Sequence, residues 1–466
     1  MNEAVRLAMQ GGQYAKAEKL LTEQLAANPL SAQGWVQLGE VLLKQGCGDA
    51  ARQAFERGWV LDPMAQWVPA VQQMLAKTPA GPARPEVTHL LSSKRSVTVA
   101  AAIMTRNEAR CIERCVQSLQ NAVDEILIID SSSTDGTVQL VAHLPKVKVI
   151  TSAAQNDDFA AKRNQALPHL NSDWVLWVDA DEWLFEEDVQ AVRQVAELFH
   201  DRGQVVLNIC QVNYVQGKVR PDFGIPRMFP LDRGLHYYGR VHEQVVPQDG
   251  AMYENLVLRR PVRIRLHHDG YEPDIVQLRS KINRNLRLLE MMVAEEPSNP
   301  GWFLYYGRET LASGDREKAK AILLEADRLA YETPSFGRHA DILMLLGKIY
   351  MSENNYEDAI RVCSHVQKLQ PDYPDASYHL ARAQMKQAAE LLQKAERNLT
   401  HAKQSFQSYR GIVAADESIK DWRVDLALAD LTAISGKNAA AKAKYEALLV
   451  RHPELTPVRD RLARME

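Results

Sequence analysis

A chain of 466 residues, 46% hydrophobic and 25% charged, is too long for one core and has an ordinary globular composition, so two or three domains are expected. A net charge of -3 excludes a global pull towards nucleic acid or an anionic membrane. Five scattered cysteines (Cys47, Cys111, Cys115, Cys210, Cys363) lack zinc-site spacing, no apolar run is long enough for a membrane span, and M-N-E-A-V-R is not a secretory leader, so a reducing, cytoplasmic setting is expected.

Residues 1–78 have a repetitive, helical pattern. Trp35, Leu38, Gly39, Leu42, Ala51, Phe55, Gly58 and Pro63 fall at the offsets of a tetratricopeptide repeat, and Pro29 and Pro63 stand 34 apart (63 − 29). Small residues let two helices cross closely, large ones fill the gap, and proline ends the second helix. Residues 79–96 carry Pro79, Gly81, Pro82 and Pro85, which end the pattern and predict a linker.

From 97 to 275 strand and helix signals alternate. V-T-V-A-A-A-I-M (97–104), E-I-L-I-I-D (125–130), V-K-V-I (147–150) and W-V-L-W-V-D (174–179) predict strands, with helical segments between the first three. This order predicts an α/β domain with a mainly parallel, Rossmann-like sheet, whose ligands lie beyond the carboxyl ends of the strands. T-R-N-E (105–108), D-S-S-S-T-D (130–135) and D-A-D (179–181) all follow strands and should gather on one edge. On an extended backbone Asp179 and Asp181 leave on one side, where two hard oxygens suit Mg²⁺ or Mn²⁺ carrying a diphosphate. An isolated D-x-D is more often a solvated turn; the convergence of the three clusters favours the site. No G-x-G-x-x-G follows the first strand and no G-x-x-x-x-G-K-[ST] occurs, which argues against a dinucleotide dehydrogenase and a P-loop nucleotidase. Lys162 and Arg163 are placed in sequence to help neutralise phosphates, or equally to form a solvated helix face.

T-R-N-E, I-I-D-S-S-S-T-D-G-T (128–137), F-A-A-K-R-N (159–164), W-V-D-A-D-E (177–182), R-M-F-P (227–230), G-R-V-H-E-Q (239–244) and L-H-H-D-G-Y (266–271) together resemble family-2 glycosyltransferases of GT-A fold, in the bacterial branch fused to tetratricopeptide repeats. The resemblance implies inverting transfer from a nucleotide-diphosphate sugar, UDP-GlcNAc or UDP-Glc, with Mn²⁺ or Mg²⁺. It implies that Asp130 meets the uracil, that Thr105, Arg106, Asn107 and Glu108 line the nucleotide pocket, that Asp179 lies near the ribose or sugar, and that Asp181 holds the metal. Asp269 stands where the branch usually has an aromatic residue. Direct displacement needs a base near the acceptor's proton, and a carboxylate suffices; Glu243 is the expected base, with Asp222 or Asp269 next. His242 and His268 are candidates to complete the metal shell, whereas His267 reads as a core or capping residue. Arg263 and Arg265 alternate with Val262, Ile264 and Leu266, which predicts an edge strand protected by charge, or an arginine pair facing pyrophosphate or an acidic acceptor.

Residues 276–466 are helical again. Gly347, Tyr350, Tyr356, Ala359, Cys363, Val366 and Pro371 fit repeat offsets, while Ala376 to Tyr409 predicts a helix too long for a repeat. Stacked repeats form a groove suited to an extended peptide or a partner helix, though they also build homodimers. The expected function is glycosylation of a protein or peptide side chain: Ser/Thr of a surface protein such as flagellin first, Cys of a secreted peptide next. A lipopolysaccharide-core transferase and a non-catalytic repeat scaffold are the alternatives.

Overall fold

The computed structural model describes residues 3–92, 96–152, 158–215, 217–248, 252–253, 257–268 and 275–465. Two compact units divide the chain, Met1–Ser313 and Gly314–Glu466.

In the first unit an eight-stranded sheet is built from β1 (Val99–Thr105), β2 (Glu125–Asp130), β3 (Val147–Thr151), β4 (Trp174–Asp179), β5 (Glu182–Leu184), β6 (Val205–Val215), β7 (Lys218–Pro230) and β10 (Leu258–His268). A small pair, β8 (Leu235–Tyr238) and β9 (Gln244–Pro247), lies apart from it. The order is β3-β2-β1-β4-β7-β6-β10-β5. The first four strands run parallel, as the alternation of apolar runs and helices requires. Beyond β4 the sheet turns mixed, because β6 and β7 form an antiparallel hairpin and β5 pairs antiparallel with β10. The register sets Thr105 beside Asp130 and Met104 beside Asp179, so the polar clusters do share one edge.

Alternate residues of β1 serve two cores. Val99, Ala101 and Ile103 pack with Ile112, Val116, Val192 and Phe199 from helices Ile112–Leu119 and Val189–Phe199. Ala100 and Ala102 face Trp177, Phe229, Tyr237 and Ala160. Burial on both sides explains why these strands read as continuous apolar runs.

The N-terminal repeats cross closely at Gly39, where a Cβ would lie 2.7 Å from the Phe55 ring. Residues 79–92 are not a free linker: Gly48 N–H donates to Pro79 O, and helix Pro85–Leu91 buries Val87 in the repeat core. Nor is β10 an exposed charged edge. Helix Gly48–Leu61 docks on it, with Glu56 2.8 Å from Arg263, Trp59 stacked 4.0 Å from the same guanidinium, and Val60 joining the sheet core. Arg265 is held by both oxygens of buried Asp188. Arg263 and Arg265 thus fasten the repeats to the sheet; the solvent and the pyrophosphate expected of them are replaced by a tryptophan and two acids.

Helices Ile275–Glu295 and Pro300–Ser313 belong to the first unit, which therefore reaches past residue 275. In the second unit, helices His339–Ser352 and Tyr356–Leu369 meet at Gly347, opposite Val362 and Cys363. Helix Pro374–Ser405 is 32 residues long against 14 for each of the two helices before it, a departure from repeat geometry that the sequence predicts. Among the described residues no helix is long and apolar enough to cross a membrane.

Candidate active site

The D-A-D acids part company at the end of β4. Asp179 closes the strand, and its carboxylate is gripped by Arg227 of β7, with Nη1 2.8 Å from Oδ1 and Nη2 on the other oxygen. Arg163, on helix Phe159–Ala166, reaches the same carboxylate at 3.3 Å. Burial alone would raise the Asp179 carboxyl, but the two guanidinium groups outweigh it and hold the group below the usual carboxylate range. Arg163 also donates from Nε to Glu243 Oε1 at 2.8 Å, so one buried cation joins Asp179 to Glu243. Its planar group lies over Trp177 at 4.7 Å and Tyr237 at 5.2 Å, which fixes its direction.

Glu182, 1% exposed, supports this arrangement from beneath. It accepts the Asp179 N–H at 2.8 Å and Gln211 Nε2 at 2.5 Å. Burial raises its carboxyl; Arg227 works against that, and the Asp179 charge reinforces it.

Asp181 sits in the turn between β4 and β5, its side chain about a third exposed, with Oδ2 3.3 Å from His268 Nε2. Asn213 Oδ1 lies 2.6 Å from His268 Nδ1 and accepts its N–H hydrogen bond, which turns Nε2 towards Asp181. The bond to Asp181 raises the His268 pKa, against burial. Two ligands at right angles on an ion, each about 2.1 Å away, lie about 3 Å apart. The Asp181–His268 spacing fits that bite. Among the described residues no group of three or more His, Cys, Asp and Glu could hold a metal ion, so the remaining positions would fall to phosphate oxygens and water. Asp179 is taken up by two arginines, so the D-A-D pair does not present two free carboxylates to one ion, as the sequence suggests; a metal here would meet Asp181 and His268 instead.

His242 does not join Asp181. Its ring stacks on Tyr305 at 4.6 Å and its Nε2 lies 3.0 Å from Glu309 Oε1, both on helix Pro300–Ser313. His267 stacks between Trp183 and Phe185 and bonds the Tyr214 hydroxyl at 2.7 Å, a structural place whose polar partner is a side chain rather than backbone.

On the β1–β2 side, Asn107 adopts φ 57°. Its N–H donates to Ser133 Oγ at 2.8 Å and its Oδ1 accepts the Thr134 N–H at 2.9 Å. Asp130 accepts from Ser133 twice, backbone N–H at 2.9 Å and hydroxyl at 2.5 Å. Glu108 donates its N–H to Thr137 Oγ1 at 2.8 Å, and burial raises its carboxyl. Thr105 is buried with an unpartnered hydroxyl, and Arg106 is exposed. Asp222 lies on the hairpin, accepting the Gly224 N–H, while Asp269 lies outside the described residues. The structure thus brings Arg163, Asp179 and Glu243 together, pairs Asp181 with His268, and ties Thr105 to Glu108 onto the Asp130 loop. Sequence reasoning gave no role to Arg227 and Glu182, although both stand in motifs it singled out, R-M-F-P and W-V-D-A-D-E, and it missed Asn213.

Residues 101–248 match the family described as Glycosyl transferase family 2, and residues 2–63 and 340–373 match tetratricopeptide repeats. Residues 101–248 thus form a domain similar to family 2 glycosyltransferases of GT-A type, joined to tetratricopeptide repeats on both sides. Its curated relatives include the SPbeta prophage-derived glycosyltransferase SunS of Bacillus subtilis (strain 168), 28% identical over 279 residues, or 59% of this chain and 64% of that protein. A tetratricopeptide-repeat-containing protein of Synechococcus elongatus is 26% identical over 48% of this chain and 55% of its own. This chain thus spans less than two thirds of the length of these relatives. Among solved structures, S. aureus TarS 1–349 in complex with UDP-GlcNAc aligns with 61% of this chain and 89% of its own at 15% identity and a TM-score of 0.32.

Proposed function

We propose that this protein transfers a hexose or N-acetylhexosamine from a UDP-sugar, with inversion, to the side chain of a protein or peptide. The observation that carries the reading is the Arg163 bridge: it sets Glu243, 15% exposed, beside Asp179 at the carboxyl ends of the parallel strands. There Glu243 accepts the acceptor's proton as the acceptor oxygen or sulfur bonds to the anomeric carbon and the bond to the diphosphate breaks. Thr105 to Glu108 and the Asp130 loop frame the nucleoside. Asp181 and His268 would hold Mn²⁺ or Mg²⁺, which neutralises negative charge on the diphosphate when bound. The repeats support a polypeptide acceptor, with Ser/Thr of a surface protein such as flagellin ahead of Cys of a secreted peptide.

Calorimetry of UDP with Mn²⁺ tests the site: wild type should bind, and Asp181→Ala should lose the metal-dependent part. No binding by wild type would leave a repeat scaffold. Intact-mass measurement of candidate proteins co-expressed with the enzyme should show the mass of an added sugar. Added sugar found only on lipopolysaccharide core would overturn the polypeptide acceptor.

A further inference from the structure

The G-R-V-H-E-Q loop (239–244) holds two residues with left-handed backbone, Gly239 at φ 97° and His242 at φ 54°. Such conformations persist where the surroundings over-determine them. Here one element outside the sheet meets both. A Cβ on Gly239 would lie 2.6 Å from the ring of Trp302, and His242 is stacked on Tyr305 and bonded to Glu309. Gln244 adds a third tie, donating from Nε2 to the Tyr305 hydroxyl and to His242 O, each at 3.0 Å. Trp302, Tyr305 and Glu309 all belong to helix Pro300–Ser313, and Trp302 and Tyr305 are buried.

We propose that Glu309 and Tyr305 are positioning residues for Glu243, acting through His242 and Gln244 from a helix beyond the region that matches the family. His242 then serves as a strut. Its neighbour Glu243 accepts from Arg163 rather than from the helix. The inference rests on Glu243 being the base, but the buttress itself can be tested without that.

The full chain is compared with Glu309→Ala, Glu309→Gln and Tyr305→Phe. Amide hydrogen exchange over residues 236–247, followed by mass spectrometry, reads the buttress. Exchange should quicken in Glu309→Ala with the thermal midpoint unchanged, and recover in Glu309→Gln, whose amide can still bond the imidazole. Unchanged exchange in both Glu309→Ala and Tyr305→Phe overturns the buttress. UDP release from UDP-GlcNAc with Mn²⁺ reads positioning. Glu309→Ala should lower kcat about 10- to 100-fold, with KM for the donor within about twofold and most activity restored by Glu309→Gln. A change in KM alone, or a loss that Glu309→Gln does not restore, overturns the positioning role. If Glu309→Ala does not fold, Tyr305→Phe carries both measurements, since it keeps the ring stack and removes only the hydroxyl. A wild type that releases no UDP counts against the donor reading, and exchange still decides the buttress.

Discussion

The β1–β2 edge and the loop bearing Glu243 both present polar groups to the same sheet edge, yet they are held in different ways. Around Asp130 the hydrogen bonds are short-range or join adjacent strand ends: Asp130 to Ser133, Asp135 to Thr137, Asn107 to Thr134. Most of these groups are small and partly solvated, and each bond contributes little. Glu243 instead depends on a buried cation 80 residues away in sequence, on the acid that cation shares, and on a helix still further along. A polar turn can adapt to a nucleotide, whereas a base must arrive pre-placed, because a misaligned proton acceptor loses most of its effect. The two kinds of wiring suit the two roles proposed for them.

The largest expected effect is on chemistry. Glu243→Gln should lower transfer by about 10²–10⁴ while UDP binding is kept; unchanged turnover would pass the base to another carboxylate. Next comes Asp179→Asn, which leaves Arg163 and Arg227 buried without their shared counter-charge. Asp179 is itself a third exposed, so the usual cost of breaking a buried pair, about 3–5 kcal/mol, is discounted to about 2–3 kcal/mol of stability in denaturant unfolding. Because the arginines hold the Asp179 carboxyl below its ordinary value of about 3.9, this stabilisation is present above that pH and fades as pH falls through the depressed native value. The gap between wild type and Asp179→Asn should therefore narrow in unfolding measurements below about pH 4. Gly239→Ala meets Trp302 and an unfavourable backbone, and should cost about 1–2 kcal/mol in thermal unfolding. The smallest change is Ser133→Ala on the adaptable side, about 0.5–1.5 kcal/mol in the same assay. A loss at Ser133 equal to that at Asp179 would erase the contrast.

This division also decides what could be read from the residues. β1 to β4 lie where the apolar runs stop at polar ones, since a strand buried on both faces writes itself locally. The clustering of Thr105 to Glu108 with Asp130 follows from that topology. The hairpin β6–β7 did not declare itself, because Pro221, Gly224 and Pro226 interrupt the period in β7. The role of Arg227 was hidden with it. His242 was expected beside Asp181, but its partner Glu309 is 67 residues away, and nothing near H-E announces a helix waiting for that imidazole. The charge alternation around Arg263 was real, yet a tryptophan and an acid from the repeats cover it.

That docking limits how the chain can be cut. A truncation starting at the first strand would strip Val60 from the sheet core and leave the Arg263 guanidinium facing water where Trp59 had covered it. The smallest soluble piece for crystallisation or enzymology therefore has to begin among the N-terminal helices, and trimming them to simplify purification would invite aggregation.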